Sequence, residues 1–383
     1  MTMGIETKIS PLLRGLTFNG NHGSIVKFDS SKDRSGDILQ IPEEIKSYTS
    51  ELKIKDILVS SYNKYVEANG THPKTAVLEG VGSFLITESF DSGSSVINNR
   101  ETVSGSSLSG SVKGKISVVT GGAQGFGEGL VRQLTEAGSL VFIADMNLKG
   151  AEILADNINS ALGFIAAIAV EVDVTKEESV AKMVESIVLT AGGIDLFISN
   201  AGVLKAGSVK EMSLADFNFV TSVDYTGFFI CTKFVSPVMA VQNSSSGDYY
   251  SDIIQINSKS GLLGSNKNGA YAGAKFGGIG LTQSFALELV ADNIKVNSIG
   301  PGNFLDGPLW SDPDRGLFVQ YLKAGKVPGA ETLEDVRKHY ENMVPMKRGC
   351  TSLDVIKAVY YIVDQNYETG QAVPVTGGQI MLS

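Results

Sequence analysis

One stretch limits the fold more than any other. A short apolar run, Ile116 to Val119, leads into Thr120-Gly121-Gly122-Ala123-Gln124-Gly125-Phe126-Gly127, and apolar residues then recur at helical spacing as far as Ala137. Strand, glycine-rich turn and helix in that order let the chain reverse tightly. They also bring bare backbone close to an anion at a helix N-terminus, where unpaired amides point outward. The next apolar run, Leu140 to Ala144, ends on Asp145, eighteen residues beyond Gly127. A carboxylate at that place can accept both hydroxyls of an adenosine ribose. The pattern predicts an α/β protein, a Rossmann-type doubly wound parallel sheet, with a dinucleotide over its first turn.

A second stretch, Asp252 to Leu289, carries reactive groups. The apolar run Ile253 to Ile256 turns polar at Asn257-Ser258-Lys259-Ser260-Gly261, and after a Gly- and Asn-rich loop comes Tyr271-Ala-Gly-Ala-Lys275, opening a helical pattern. Tyr271 and Lys275 are four apart and share a helix face. A carbinol gives up hydride only if its hydroxyl proton leaves as well, which requires a base within hydrogen-bond reach. A free tyrosine, with a pKa of about 10, is a poor one. An ammonium about 4 Å away favours the phenolate by roughly 4 kcal/mol at an effective dielectric of about 20, or about three pKa units before desolvation. Tyr271 is thus the candidate base, Lys275 its electrostatic partner, and Ser258 the group that orients the substrate oxygen.

These residues resemble the Ser, Tyr-x-x-x-Lys core of the short-chain dehydrogenase/reductase family, and the turn has that family's T-G-x-x-x-G-x-G form, with Phe126 where isoleucine is usual. Val172-Asp173-Val174 resembles the family's adenine-flanking pair. Ser199-Asn200-Ala201-Gly202 resembles its N-N-A-G strand end, and Pro301-Gly302 the strand before its substrate lid. The resemblance implies NAD as cofactor, held by Gly121, Gln124, Gly125, Phe126, Gly127, Asp145, Asp173, Val174, Asn200, Ala201, Gly202, Pro301 and Gly302 together with Tyr271 and Lys275. It also implies a homo-oligomer, tetramer or dimer. Asp224 stands where the family usually has a fourth catalytic residue, asparagine, so proton relay is the step this departure touches. The stretches IIQINSKSG, GSNKN, AKFGGIGLTQS, GNFLDGPLW, VPMKRGC and VTGGQIM resemble the branch of the family that acts on phosphorylated polyols. They imply interconversion of sorbitol 6-phosphate and fructose 6-phosphate. Two alternatives stay open: another polyol or ketose phosphate in the same chemistry, and a catalytically silent dinucleotide-binding scaffold.

Three regions divide the 383 residues: a small α+β module over 1–90, a Ser/Gly/Asn-rich linker over 91–112, and the dehydrogenase-like domain over 113–383. In the first, residues 1 to about 38 show no sustained periodicity. EEIKSYTSELK and IKDILVSSYNKYVEANG read as helices, and TAVLEG-VGSFLIT as two strands about a turn. This segment resembles a fragment of the class II sugar-phosphate aldolase module, yet lacks that family's paired histidines, so a docking or assembly role is expected. Residues 303–345 read as a lid with one helical pattern, LEDVRKHYENM. A net charge of −9 argues against nucleic acid or an anionic membrane as partner. Two cysteines and three scattered histidines (His22, His72, His339) offer no metal site and no disulfide framework. With no eighteen-residue apolar run and no signal-like N-terminus, a cytoplasmic protein is expected.

Overall fold

The computed structural model describes residues 4–30, 37–90, 108–314, 316–323, 325 and 327–381. Seven parallel strands form the main sheet: β5 (Ile116–Thr120), β6 (Leu140–Asp145), β7 (Ala167–Glu171), β8 (Leu196–Ser199), β9 (Ser251–Ile256), β10 (Ile294–Pro301) and β11 (Ala372–Val375). Their order is β11-β10-β9-β8-β5-β6-β7. β5 pairs with β6 on one side and β8 on the other, so the winding reverses at its C-terminal end and opens a crevice there. The expected doubly wound parallel sheet is what the chain forms. β5, β8, β9 and β10 are buried along their whole length, as strands covered on both faces must be.

Helices cover both faces: α3 (Gly125–Glu136), α4 (Leu148–Leu162) and α12 (Ser352–Asp364) on one, α5 (Glu177–Ala191), α7 (Gly227–Asn243) and α8 (Gly269–Leu289) on the other. α12 shows why such segments are helical. Thr351 and Asp354 form a reciprocal capping box at its start, and Val355, Ile356, Val359, Ile362 and Val363 recur at helical spacing and are buried. A short helix, α6 (Leu214–Thr221), runs into a π-helical turn at Ser222–Thr226 and then into α7. No helix among the described residues is long and apolar enough to cross a membrane.

The N-terminal module has its own four-stranded sheet. It comprises α1 (Glu6–Leu16), β1 (Ile25–Asp29), β2 (Ile38–Gln40), α2 (Glu51–Asn69), β3 (Thr75–Leu78) and β4 (Gly82–Thr87), with strand order β1-β4-β3-β2. The two strands read from TAVLEG-VGSFLIT are β3 and β4. The two helical patterns before them resolve into a 3-10 turn, Glu43–Ser47, and α2. The first 38 residues, which show no sustained periodicity, contain α1 and β1. Ile9, Leu12 and Leu13 give α1 a buried stripe, but Pro11 and Gly15 interrupt the pattern that would have announced it. α1 packs on α7 and α5, and β1 on α5, so the module seats against the helical layer of the main sheet.

Two boundaries move. Most of the expected linker, residues 91–107, lies outside the described residues. Its last five, Leu108–Val112, form a 3-10 turn packed on α12 with Val112 fully buried. The main domain therefore begins before residue 113, because one valine in a Ser/Gly run finds core. The segment after β10 carries three helices where one was expected: α9 (Pro308–Ser311), α10 (Leu317–Lys323) and α11 (Leu333–Asn342). Leu305, Trp310, Phe318, Val327 and Val336 give it a small core of its own. The two shorter helices are too brief for their periodicity to show.

Candidate active site

The crevice at the reversal point is a cleft of about 960 Å³. One wall is the turn after β5. Gly121 and Gly125 have φ of 62° and 63°, a left-handed conformation that favours glycine, and a Cβ on Gly127 would overlap the Gly121 carbonyl. Asn200, at the end of β8, spends its amide on the carbonyls of Thr120 (2.9 Å) and Gly121 (3.0 Å), so its side chain fixes the turn. Asp145 ends β6 and accepts the Ala123 amide at 3.0 Å and the Asn147 amide at 2.9 Å. Asp173 accepts the Thr175 hydroxyl at 2.6 Å and pairs with Lys176 at 2.9 Å. Its own burial would raise its pKa, yet these partners hold it below the usual carboxylate range.

The opposite wall carries the residues expected to be reactive. Ser258 follows β9 in extended backbone, and its hydroxyl accepts the Ser260 amide at 3.1 Å. Tyr271 lies in the first turn of α8 and lines the cleft beside Ser258. Lys275, one turn on, is buried, with Nζ 5.4 Å from the centre of the Tyr271 ring. Nζ donates to the Ile256 carbonyl at 3.2 Å and lies 3.3 Å from the Asp224 carboxylate. Asp224 is held in the π-helical turn before α7, a distortion common at functional sites, and Oδ1 accepts the Val203 amide at 2.7 Å. Burial pulls the Lys275 ammonium down, but Asp224 and Tyr271 outweigh it and its pKa lies above the ordinary lysine value. Burial dominates at Asp224, whose carboxyl is raised despite Lys275 and the Val203 amide. An ammonium behind a phenol is the arrangement a tyrosine base requires.

Of the residues singled out in the sequence, Gly121, Gln124, Gly125, Phe126, Asp145, Asp173, Val174, Asn200, Ala201, Gly202, Ser258, Tyr271 and Gly302 line this one cleft. Gly127, Asp224, Lys275 and Pro301 stand behind its lining. The lid adds groups that sequence reasoning missed: Trp310, Tyr321 and Tyr340 form an aromatic wall, and Phe304 stacks on Phe126 with ring centres 4.3 Å apart. Lys259, Lys267 and Asn268 also belong to the lining, a place that sequence reasoning did not assign them. A lysine next to Ser258 was the only local signal. Among the described residues, no group of three or more His, Cys, Asp and Glu converges as a metal site would need.

Residues 115–311 match the family described as short chain dehydrogenase. The sorbitol-6-phosphate 2-dehydrogenase of Escherichia coli strain K12 is 36% identical over 270 residues, 70% of this chain and 99% of that protein. The crystal structure of the sorbitol-6-phosphate 2-dehydrogenase from Erwinia amylovora is 39% identical, with a TM-score of 0.64, over 70% of this chain and all of that one. An NAD+-bound xylitol dehydrogenase is 30% identical, with a TM-score of 0.61, over 70% of this chain and 99% of that one. A glycine-rich first turn, a cleft at the sheet's reversal point and a buried lysine behind a tyrosine thus agree with what these similarities say, and the chain belongs to the short-chain dehydrogenase family of oxidoreductases.

Proposed function

We propose that the protein is an NAD-dependent dehydrogenase interconverting sorbitol 6-phosphate and fructose 6-phosphate, with Tyr271 as general acid and base. The observation that carries this reading is that one cleft is lined by the glycine-rich turn and Asp145 on one side and by Ser258 and Tyr271 on the other. The residues present fit a dinucleotide: a turn so tight that a Cβ at Gly121 would press on Ala201 and one at Gly127 on the Gly121 carbonyl, and a carboxylate at the end of β6. When bound, the nicotinamide supplies the hydride acceptor. Ser258 donates to the substrate oxygen and fixes its place. Tyr271 takes the hydroxyl proton as the carbinol is oxidised and returns it in the reverse direction. Lys275 holds the phenolate electrostatically, and Asp224 holds Lys275 protonated. NAD is favoured over NADP because a 2′-phosphate would face Asp145, and no Arg or Lys lies between Gly121 and Gly127. The identities of 36% and 39% to proteins named for sorbitol 6-phosphate support that substrate. The N-terminal module serves assembly and support of the sheet rather than a second reaction.

A panel of phosphorylated and free polyols with NAD and NADP tests this reading. The expected result is turnover of sorbitol 6-phosphate with NAD preferred by about a hundredfold, roughly 3 kcal/mol. Tyr271→Phe should lower kcat by at least about 10²-fold with little change in NAD affinity. Turnover that survives Tyr271→Phe, or equal efficiency with both cofactors, would overturn the corresponding part.

A further inference from the structure

The charges that line the cleft are segregated. On the side of the glycine-rich turn they are Asp145 and Asp173, each already engaged by backbone or side-chain donors. On the side of Ser258 and Tyr271 the described lining holds two charged residues, Lys259 and Lys267. Neither side chain has a hydrogen bond or a carboxylate partner among the described residues. Other nearby cations are spoken for: Lys275 on Asp224 and the Ile256 carbonyl, Lys205 on Asp216, Arg337 on Asp306 and Glu341.

Lys259 directly follows Ser258 in the 3-10 turn Lys259–Gly261 and is half-buried, and that burial lowers the pKa of its ammonium. An unpaired cation held partly out of water costs free energy that a bound anion offsets. Lys267 is exposed and stands four residues before Tyr271. Its φ of 56° is left-handed, a conformation a lysine adopts at a cost of about 1–2 kcal/mol, and its carbonyl is pinned by the Gly207 amide at 2.8 Å. Next to it, Asn268 lines the same cleft with a buried Oδ1 that has no hydrogen-bond partner.

We infer that Lys259 and Lys267 form the phosphoryl site of the substrate, with Asn268 Oδ1 accepting from a neighbouring substrate hydroxyl. This inference rests on the proposed function and assigns the side chains that select a phosphorylated polyol. Both lysines lie between Ser258 and Tyr271 in the chain and line the same cleft as those two, so a substrate anchored by its phosphate in this cleft is held in the compartment of the two residues. Two lysines without partners and an unpartnered acceptor suit one molecule that is anionic at one end and hydroxylated beside it.

The test is the ratio of kcat/KM for sorbitol 6-phosphate to that for free sorbitol, measured with NAD in the full chain, in Lys259→Gln, in Lys267→Gln and in the double variant. NAD affinity serves as the check on folding. The unaltered protein should favour the phosphorylated substrate by at least about a thousandfold. Each single variant should reduce that ratio roughly 10- to 100-fold, the range of a charge-assisted hydrogen bond, and the double variant should reduce it further. Inorganic phosphate should compete with substrate in the unaltered protein and lose that effect in the double variant. If the preference is strong and the double variant keeps it, the phosphate is held elsewhere and this inference falls while the proposed function stands. If the unaltered protein has no preference, or favours a carboxylated polyol, the inference and the proposed substrate fall together.

Discussion

The protein buries two ion pairs against α7 and its preceding turn, at opposite ends of the same sheet. At the end away from the cleft, Arg14 of α1 meets Asp195 at 2.5 Å, both side chains wholly buried. Asp195 is saturated: Oδ2 also accepts the Ile116 amide, while Oδ1 accepts the Tyr249 hydroxyl at 2.5 Å and the Gln242 amide at 2.9 Å. At the cleft end, Asp224 Oδ1 accepts the Val203 amide and Oδ2, buried, has the Lys275 ammonium at 3.3 Å as its partner. In the first pair the aspartate's acceptors are filled and Arg14 Nη1 reaches two further carbonyls, Gly23 and Ser24, while Arg14 Nε is buried without a hydrogen bond. The second carboxylate has fewer donors than the first. Burial raises Asp195 as it raises Asp224, but at Asp195 the cations Arg14 and Lys115 with the Tyr249 and Ile116 donors win, and its pKa is lowered. The two carboxylates differ in how many donors surround them, and a buried carboxylate with many donors is held charged more firmly than one with few.

The pH dependences should therefore run in opposite directions. Asp195 has a folded-state pKa below its unfolded value, so its stabilisation is present above the ordinary carboxylate range and lost as pH falls toward the folded value. Lys275 has a folded-state pKa above its unfolded value, so its contribution is full below the ordinary lysine value and lost as pH rises through the folded one.

The largest expected effect comes from breaking the first pair. Arg14→Met leaves a buried carboxylate without its guanidinium and should cost about 3–5 kcal/mol in denaturant unfolding. Deleting residues 1–90 should cost at least as much, because Asp195 loses the same partner and α5 and α7 lose the cover of α1 and β1. A truncated protein as stable as the full chain would reduce the first pair to an ornament. Lys275→Met should be smaller in stability, since Asp224 already takes up a proton more readily than an ordinary aspartate. It should lower kcat by at least about 10²-fold and weaken NAD binding, measured by steady-state kinetics and cofactor titration. Similar stability losses in Arg14→Met and Lys275→Met would erase the distinction between the pairs. Asp224→Asn is the finest test. Removing the carboxylate frees the whole field of Lys275 for the Tyr271 phenolate, an effect of roughly 1–2 kcal/mol at a dielectric of about 20. The acid limb of the pH–rate profile for alcohol oxidation should move to lower pH by about one unit, with activity retained. An unmoved limb would mean that Asp224 acts only as a structural acceptor for the Val203 amide.

The amino-acid sequence by itself determined the glycine-rich turn, the acid at the end of β6, and the Ser258, Tyr271 and Lys275 set. Each depends on local geometry: a positive φ that favours glycine, a strand end, one helical turn between phenol and amine. It also determined the parallel sheet, since buried strands alternating with amphipathic helices permit little else. Tertiary structure alone decided the rest. Arg14 and Asp195 are 181 residues apart, and neither the charge of one nor the place of the other announces the pairing. α1 was hidden because Pro11 and Gly15 break its period, and it is stabilised by what it packs against rather than by propensity. Asp224 could be read as a departure from asparagine, but that it faces Lys275 rather than solvent follows from a π-helical turn that no spacing predicts. Lys259 and Lys267 line the same cleft because the loop after β9 returns to it before α8 begins. Such contacts join residues through space, and local periodicity reports only the faces that elements present, not which element will cover them.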